Sequence, residues 1–132
     1  MIARTQKPLA FRPRLVVAYA DSSHAALSAR LFRRLGWEVH LASSGPDARH
    51  LASMLAPQVL VLDVDLPEES GWLTCAKLAL EPEAPQVILV ACSPSAKQYR
   101  YARLVGAMAL VAHESGVARL VSEVSDSTVA FV

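Results

Sequence analysis

Two rhythms of apolar and polar positions alternate along the chain. Leu15-Val16-Val17-Ala18, Val59-Leu60-Val61-Leu62 and Val87-Ile88-Leu89-Val90 are short unbroken apolar runs, the pattern of strands covered on both faces. Ala107 to Ala112 reads as a last strand, and Trp37-Glu38-Val39-His40-Leu41 alternates as a half-buried or edge strand does. Between them lie helical signals. Ser22 reads as the N-cap, with Asp21 beside it to favour the positive end of the dipole, of a helix of about 13 residues whose leucines Leu27, Leu31 and Leu35 are spaced by four, with Ser28 and Phe32 on the same side. Arg30, Arg33 and Arg34 point elsewhere, and Gly36 stops the helix. Ser44-Gly45-Pro46-Asp47 opens a second helix that ends near Leu55, before Pro57. A third starts at Gly71 and runs to about Leu80. A fourth runs from Ser93-Pro94-Ser95 through Val105, and a fifth spans Gly116 to Val124.

Strand and helix thus alternate five times. Such alternation implies parallel pairing, and right-handed crossovers then place helices on both faces of the sheet, giving a three-layer α/β sandwich. The 132 residues suit one core. Residues 1–13 read as a flexible basic arm carrying Arg4, Lys7 and Arg12 between prolines, 14–125 as the domain, and 126–132 as a tail that finishes the last helix and trails off. With 53% hydrophobic and 19% charged residues, a disordered or low-complexity chain is excluded. A net charge of +1 names no polyanionic partner. Cys75 and Cys92 are too few for a disulfide framework and form no CxxC pair. No apolar run approaches the roughly 20 residues that span a bilayer. A reduced, cytoplasmic setting is expected, without membrane contact.

In an open parallel sheet the functional site lies beyond the C-terminal ends of the strands. The residues there are Tyr19, Ala20 and Asp21 after the first strand and Asp63 and Asp65 after the third. Ala91, Cys92 and Ser93 follow the fourth, and His113 and Glu114 the fifth. Ala18 to His24 contains no glycine, so a dinucleotide or P-loop site is not expected. The four histidines lack metal-ligand spacing, and no nucleophile–base pair is visible, so the chain does not read as an enzyme.

Asp63-Val64-Asp65-Leu66-Pro67 followed by Gly71, together with Leu35-Gly36-Trp37-Glu38-Val39 and Val105-Gly106-Ala107, resembles the response-regulator receiver domain of two-component signalling. The resemblance covers about residues 14–125. It implies a flavodoxin-like (βα)5 sandwich with a parallel five-stranded sheet of order 2-1-3-4-5. It also implies that Asp63 stands where a histidine kinase delivers phosphate, beside an acidic pair that holds Mg²⁺, a Thr or Ser, and a Lys. This sequence places Tyr19 and Ala20 at the acidic pair, Ala91 at the hydroxyl and His113 at the lysine. Glu114 replaces the proline that usually follows that lysine, and Leu110 stands where an aromatic switch residue is usual.

The reading is an atypical receiver that acts through protein–protein contact, with most Mg²⁺- and phosphate-handling residues missing and no cofactor expected beyond weak Mg²⁺. Two rivals stay open. In one, a bulge swings Asp21 inward so that Asp21, Asp63 and Asp65 hold a metal; separately, His113 could protonate beside Asp63 and stand in for the lysine. In the other, the vacated pocket takes a small ligand. Cys92 is expected to be a small buried filler. Lys97, Arg100 and Arg103 recur every three residues on the fourth helix and, with Leu110, mark the expected output surface. The expected partner is a protein, a histidine kinase or a downstream regulator, with a homodimer through the fourth helix and the last strand and helix as a further option. Three basic residues without a helix-turn-helix do not point to nucleic acid.

Overall fold

The computed structural model of the chain describes residues 12–129. Five strands alternate with five helices: β1 (Arg14–Ala18), α1 (Ser22–Arg34), β2 (Glu38–Ala42), α2 (Gly45–Leu55), β3 (Val59–Asp63), α3 (Gly71–Leu78), β4 (Gln86–Ala91), α4 (Ala96–Leu104), β5 (Ala109–Ala112) and α5 (Gly116–Val129). A 3-10 turn, His113–Ser115, joins β5 to α5. All neighbouring strands pair in parallel, in the order β2-β1-β3-β4-β5. This is the three-layer sandwich expected from the alternation.

Strand side chains point alternately to the two faces, so each central strand feeds two cores. Leu15, Val17, Val59, Val61, Ile88 and Val90 pack under α1 and α5. Val16, Leu60, Leu62, Val87 and Leu89 pack under α2, α3 and α4. Nearly all of these positions are completely buried. Each such aliphatic side chain contributes about 1.5–3 kcal/mol on leaving water, which is why the runs can carry no polar residue until Asp63.

Four sequence expectations need correcting. The leucine stripe of α1 does not face inward: Leu27 and Leu35 are 55% and 53% exposed, and Ala25, Ser28, Ala29 and Phe32 are the buried residues. Three small residues let the helix axis approach β1 closely, a seat that a row of leucines would prop open. Second, α5 runs to Val129, through the first residues of the expected tail, because nothing between Val124 and Val129 is Gly or Pro. Third, Leu110 is buried, not part of a surface. It pairs across from Leu89 and faces α3 and α4 with it. Fourth, Cys92 is exposed, because the chain leaves the sheet at Ala91 and turns outward. Residues 1–11 of the expected basic arm lie outside the described residues. Pro13, just before β1, is already tied to β2, since its carbonyl accepts from the Glu38 amide at 2.8 Å.

Candidate functional site

The register brings the ends of β1, β3, β4 and β5 to one edge of the sheet, and Asp63 ends β3 there. Asp63 is only 7% exposed. Its Oδ1 accepts from the Asp65 amide at 3.0 Å and its Oδ2 from the Ala20 amide at 3.3 Å. Both carboxylate oxygens are therefore held by backbone N–H groups and aimed at the strand-end edge.

The loop after Asp63 is tight. The Gly71 amide donates to the Val64 carbonyl at 3.0 Å, and a Cβ at Gly71 would strike the backbone carbonyl oxygen of Asp63. Only glycine lets the start of α3 lie this close to the aspartate. Glu68 in the same loop is left-handed, with φ of 68°.

Glu69 belongs to this loop. It is buried. Its Oε2 accepts from Arg49 Nε at 2.9 Å and from the Thr74 hydroxyl at 2.7 Å, while Oε1 accepts from Arg49 Nη2 at 3.0 Å and Lys77 Nζ at 2.7 Å. The Arg49 guanidinium foremost, with the Lys77 and Thr74 hydrogen bonds, holds its carboxyl down to about 2. The start of α2 packs on the same spot, since a Cβ at Gly45 would collide with Thr74 and with the Glu69 backbone. Local spacing carried no signal for this cluster, because its members come from α2, the loop and α3.

Three rings cover the other side of the edge. Tyr19 lies 5.7 Å from His113 and 6.1 Å from His24, and the two imidazoles are 5.4 Å apart, all centroid to centroid. Burial pushes the Tyr19 hydroxyl upward, partly offset by a hydrogen bond with Ser28 and reinforced by the charge of Asp63. Of the four histidines, sequence position placed His113 at the strand ends. The first turn of α1 brings His24 to the site.

Asp21 does not swing inward. Its Oδ1 accepts from the Ser23 amide at 2.8 Å, the Ser23 hydroxyl at 2.7 Å and the His24 amide at 3.3 Å, which makes it the N-cap of α1 and holds its carboxyl below the usual range. Unmet amides at a helix start are strong competitors for a short carboxylate. Asp65 is exposed, and among the described residues no three His, Cys, Asp or Glu side chains converge as metal ligands. The ligand set of Asp21, Asp63 and Asp65 is not assembled.

Ala91, at the end of β4, is buried and brings no hydroxyl. Just beyond it, Ser93 adopts φ of 42°. Its amide donates to both carboxylate oxygens of Glu114, at 2.9 and 2.8 Å, and its hydroxyl donates to Oε2 at 2.8 Å. The Ser93 amide, more than the hydroxyl, keeps the Glu114 carboxyl below its ordinary value. One carboxylate thus ties the β4–α4 loop to the β5–α5 turn.

Residues 16–125 match the family model of the response regulator receiver domain. The chain belongs to the response-regulator receiver family. Members of this family are the receiving modules of two-component signalling and interact with histidine kinases and downstream effectors. The chain is 36% identical over 77 residues to Protein Rrf1 of Nitratidesulfovibrio vulgaris. That match covers 58% of this chain and 56% of Rrf1, so it spans little more than half of that relative. The fold is similar to the receiver domain of Francisella response regulator 1452, with a TM-score of 0.86 at 19% identity over 91% of this chain and 99% of that one. It is also similar to chemotaxis response regulator CheY4 of Vibrio cholerae, with a TM-score of 0.81 at 15% identity over 87% and 98% of the two chains. No helix among the described residues is long and apolar enough to cross a membrane.

Proposed function

We propose that this receiver is an atypical member whose output surface is set by its sequence and not by phosphate on Asp63. The observation that carries the reading is Ala91, buried at the end of β4 and without a hydroxyl, beside the Glu114–Ser93 contact. In the family pattern a Thr or Ser hydroxyl after the fourth strand and a Lys after the fifth bridge through the phosphoryl group. Here Ala91 has nothing to bridge, and a carboxylate from the β5–α5 turn already holds the β4–α4 loop by its backbone. A phosphate with no differential contact to two states shifts no equilibrium between them.

The donor set does not fit Mg²⁺. Among the described residues Asp63 is the one buried carboxylate at the strand ends, Tyr19 and Ala20 occupy the places of the acidic pair, and Asp21 is committed to capping. Mg²⁺ sheds its water reluctantly and is normally held by more oxygen ligands than this.

The domain acts through protein contact on α4. Lys97, Arg100 and Arg103 are exposed and in no ion pair among the described residues, with Tyr99, Tyr101 and Leu104 exposed on the same helix. A two-fold contact centred on α4 would set these cations against their own copies, so a different protein with an acidic face fits better than a homodimer.

The test is an amide NMR spectrum recorded with and without acetyl phosphate and Mg²⁺. Signals of α4 and β5 should stay in place, and Asp63→Ala should leave them in place too. Shifts across α4 and β5 that require both the phosphate donor and Asp63 would show that the switch survives.

A further inference from the structure

Helices α3 and α4 lie side by side on one face of the sheet and touch at three levels. The rings of Trp72 and Tyr101 are 5.2 Å apart, the Cys75 thiol donates to the Val105 carbonyl at 3.4 Å, and a Cβ at Gly106 would come within 2.9 Å of the Ala79 Cβ. The seam between the helices is apolar and open to water. Leu73 and Tyr101 are exposed beside the half-buried Trp72. Further along, flanking the Ala79–Gly106 contact, Leu80 and Leu104 are 85% and 82% exposed. Single exposed leucines are ordinary, but leucines grouped around a Trp–Tyr pair mark a contact surface.

The charge on this seam has one sign. Neither Gly71–Leu78 nor Ala96–Leu104 contains an acidic residue. Lys77 is held by Glu69, together with Arg49 of α2, on the other side of α3. Glu81 and Glu83 follow α3 and line the groove between α2 and α3. Lys97 and Arg100 remain for the seam, exposed and in no ion pair among the described residues. They precede Tyr101 and Leu104 by four residues each, which sets all four on one side of α4. The seam also has a length. The chain keeps turning past Leu78, since the Leu80 amide donates to the Lys77 carbonyl, so Leu73 and Leu80 stand two helical turns apart, about 10 Å. Apolar residues at i and i+7 of a docked helix have the same spacing.

We propose that the seam between α3 and α4 receives an amphipathic helix of another protein, with its apolar stripe on Leu73, Tyr101, Leu80 and Leu104 and its flanking carboxylates against Lys97 and Arg100. This names the partner for the α4 contact proposed above and rests on that reading, and it centres the contact on α3 and α4 instead of on β5 and α5. A second copy of this chain fits poorly, because a two-fold contact of seam on seam brings together helices that hold no acidic residue.

The experiment is an amide NMR titration of the full chain with a synthetic probe, a peptide of two Leu-Ala-Glu-Leu-Leu-Glu-Gln heptads, and with its counterpart carrying Lys in place of each Glu. The acidic peptide should give saturable shifts centred on residues 72–80 and 97–105, and the basic one none at equal concentration. The double substitution Leu80→Ser and Leu104→Ser, at positions exposed enough to leave the core untouched, should weaken binding about tenfold or more, and Lys97→Glu with Arg100→Glu about fivefold or more. Val117→Ser, on the exposed side of α5, should leave it unchanged. An absence of saturable binding, equal binding of the two peptides, shifts centred on β5 and α5, or affinity unaltered by the Leu80 and Leu104 changes would each overturn the seam. A repeat with acetyl phosphate and Mg²⁺ separates the seam from the reading beneath it. Seam binding that requires both the donor and Asp63 would uphold the seam and overturn phosphate independence. Absent seam binding, with α4 signals still indifferent to the donor, would overturn the seam alone.

Discussion

Two glutamates each tie a site loop to a neighbouring element, and they do so in opposite surroundings. Glu69 is buried after β3 and is shared by Arg49, Thr74 and Lys77. Glu114 is exposed after β5 and accepts from the Ser93 amide and hydroxyl. The same functional group therefore does two jobs. Out of water, with every oxygen met by charged donors, Glu69 is part of what holds the loop behind Asp63 in shape, and removing it would leave two cations facing an empty cage. In water, Glu114 competes with solvent for each of its bonds and its hold is weak and local. The difference teaches that the Asp63 side of the site is built into the stability of the fold, whereas the β4–α4 side is held by an adjustable surface contact.

The sharpest way to break the rigid side is Gly71→Ala. The added methyl meets the Asp63 carbonyl, which is backbone and cannot step aside. Overpacking of this kind costs about 1–3 kcal/mol, and the upper end is expected here, read as a lowered midpoint in urea unfolding. Shifted amides for Val64 and Asp65 should accompany it.

Glu69→Gln comes next, with a loss of about 2 kcal/mol, the scale of hydrogen bonds to a charged group. Its pH signature is specific. The carboxyl lies at about 2 in the fold against an ordinary value of 4.5, so its contribution is full above 4.5 and is lost as pH falls through about 2. Urea unfolding at a series of pH values should show an acid limb in the wild type that is flatter in Glu69→Gln. Parallel limbs would mean that Glu69 is not the group responsible.

Glu114→Gln should leave the global midpoint unchanged and act on one loop. Hydrogen exchange of the Ser93 amide should quicken several-fold, and in the wild type the same protection should fade as pH drops below the ordinary glutamate value of 4.5. Exchange at Ser93 equal in the two proteins would remove the tie from the account.

The smallest effect separates the two cysteines. Cys75 is fully buried, its thiol donates to the Val105 carbonyl at 3.4 Å, and burial pushes it up to about 11. Cys92 is exposed. A maleimide reagent at neutral pH should label Cys92 in the native protein and reach Cys75 only on unfolding.

The order of strands and helices, the three apolar runs and the place of Asp63 could all be read from the chain. Each rests on local periodicity, and periodicity follows directly from the geometry of strand and helix. The helix start at Ser44 was legible for the same reason, because a cap and its helix are neighbours in sequence, while the cap of α1 falls on Asp21, one residue before the expected Ser22. What the sequence could not decide were relations between distant segments. Which side of α1 goes inward depended on how closely three small residues could seat on β1, against an equally regular leucine stripe. The burial of Glu69 needed Arg49 and Lys77, 20 and 8 residues away. The Glu114–Ser93 tie spans 21 residues, and the meeting of His24 with His113 joins the start of α1 to the end of β5. A carboxylate or an imidazole looks the same in sequence whether it is solvated or shared. Only the sheet register and helix packing bring its partners within about 3 Å, the distance at which a hydrogen bond acts.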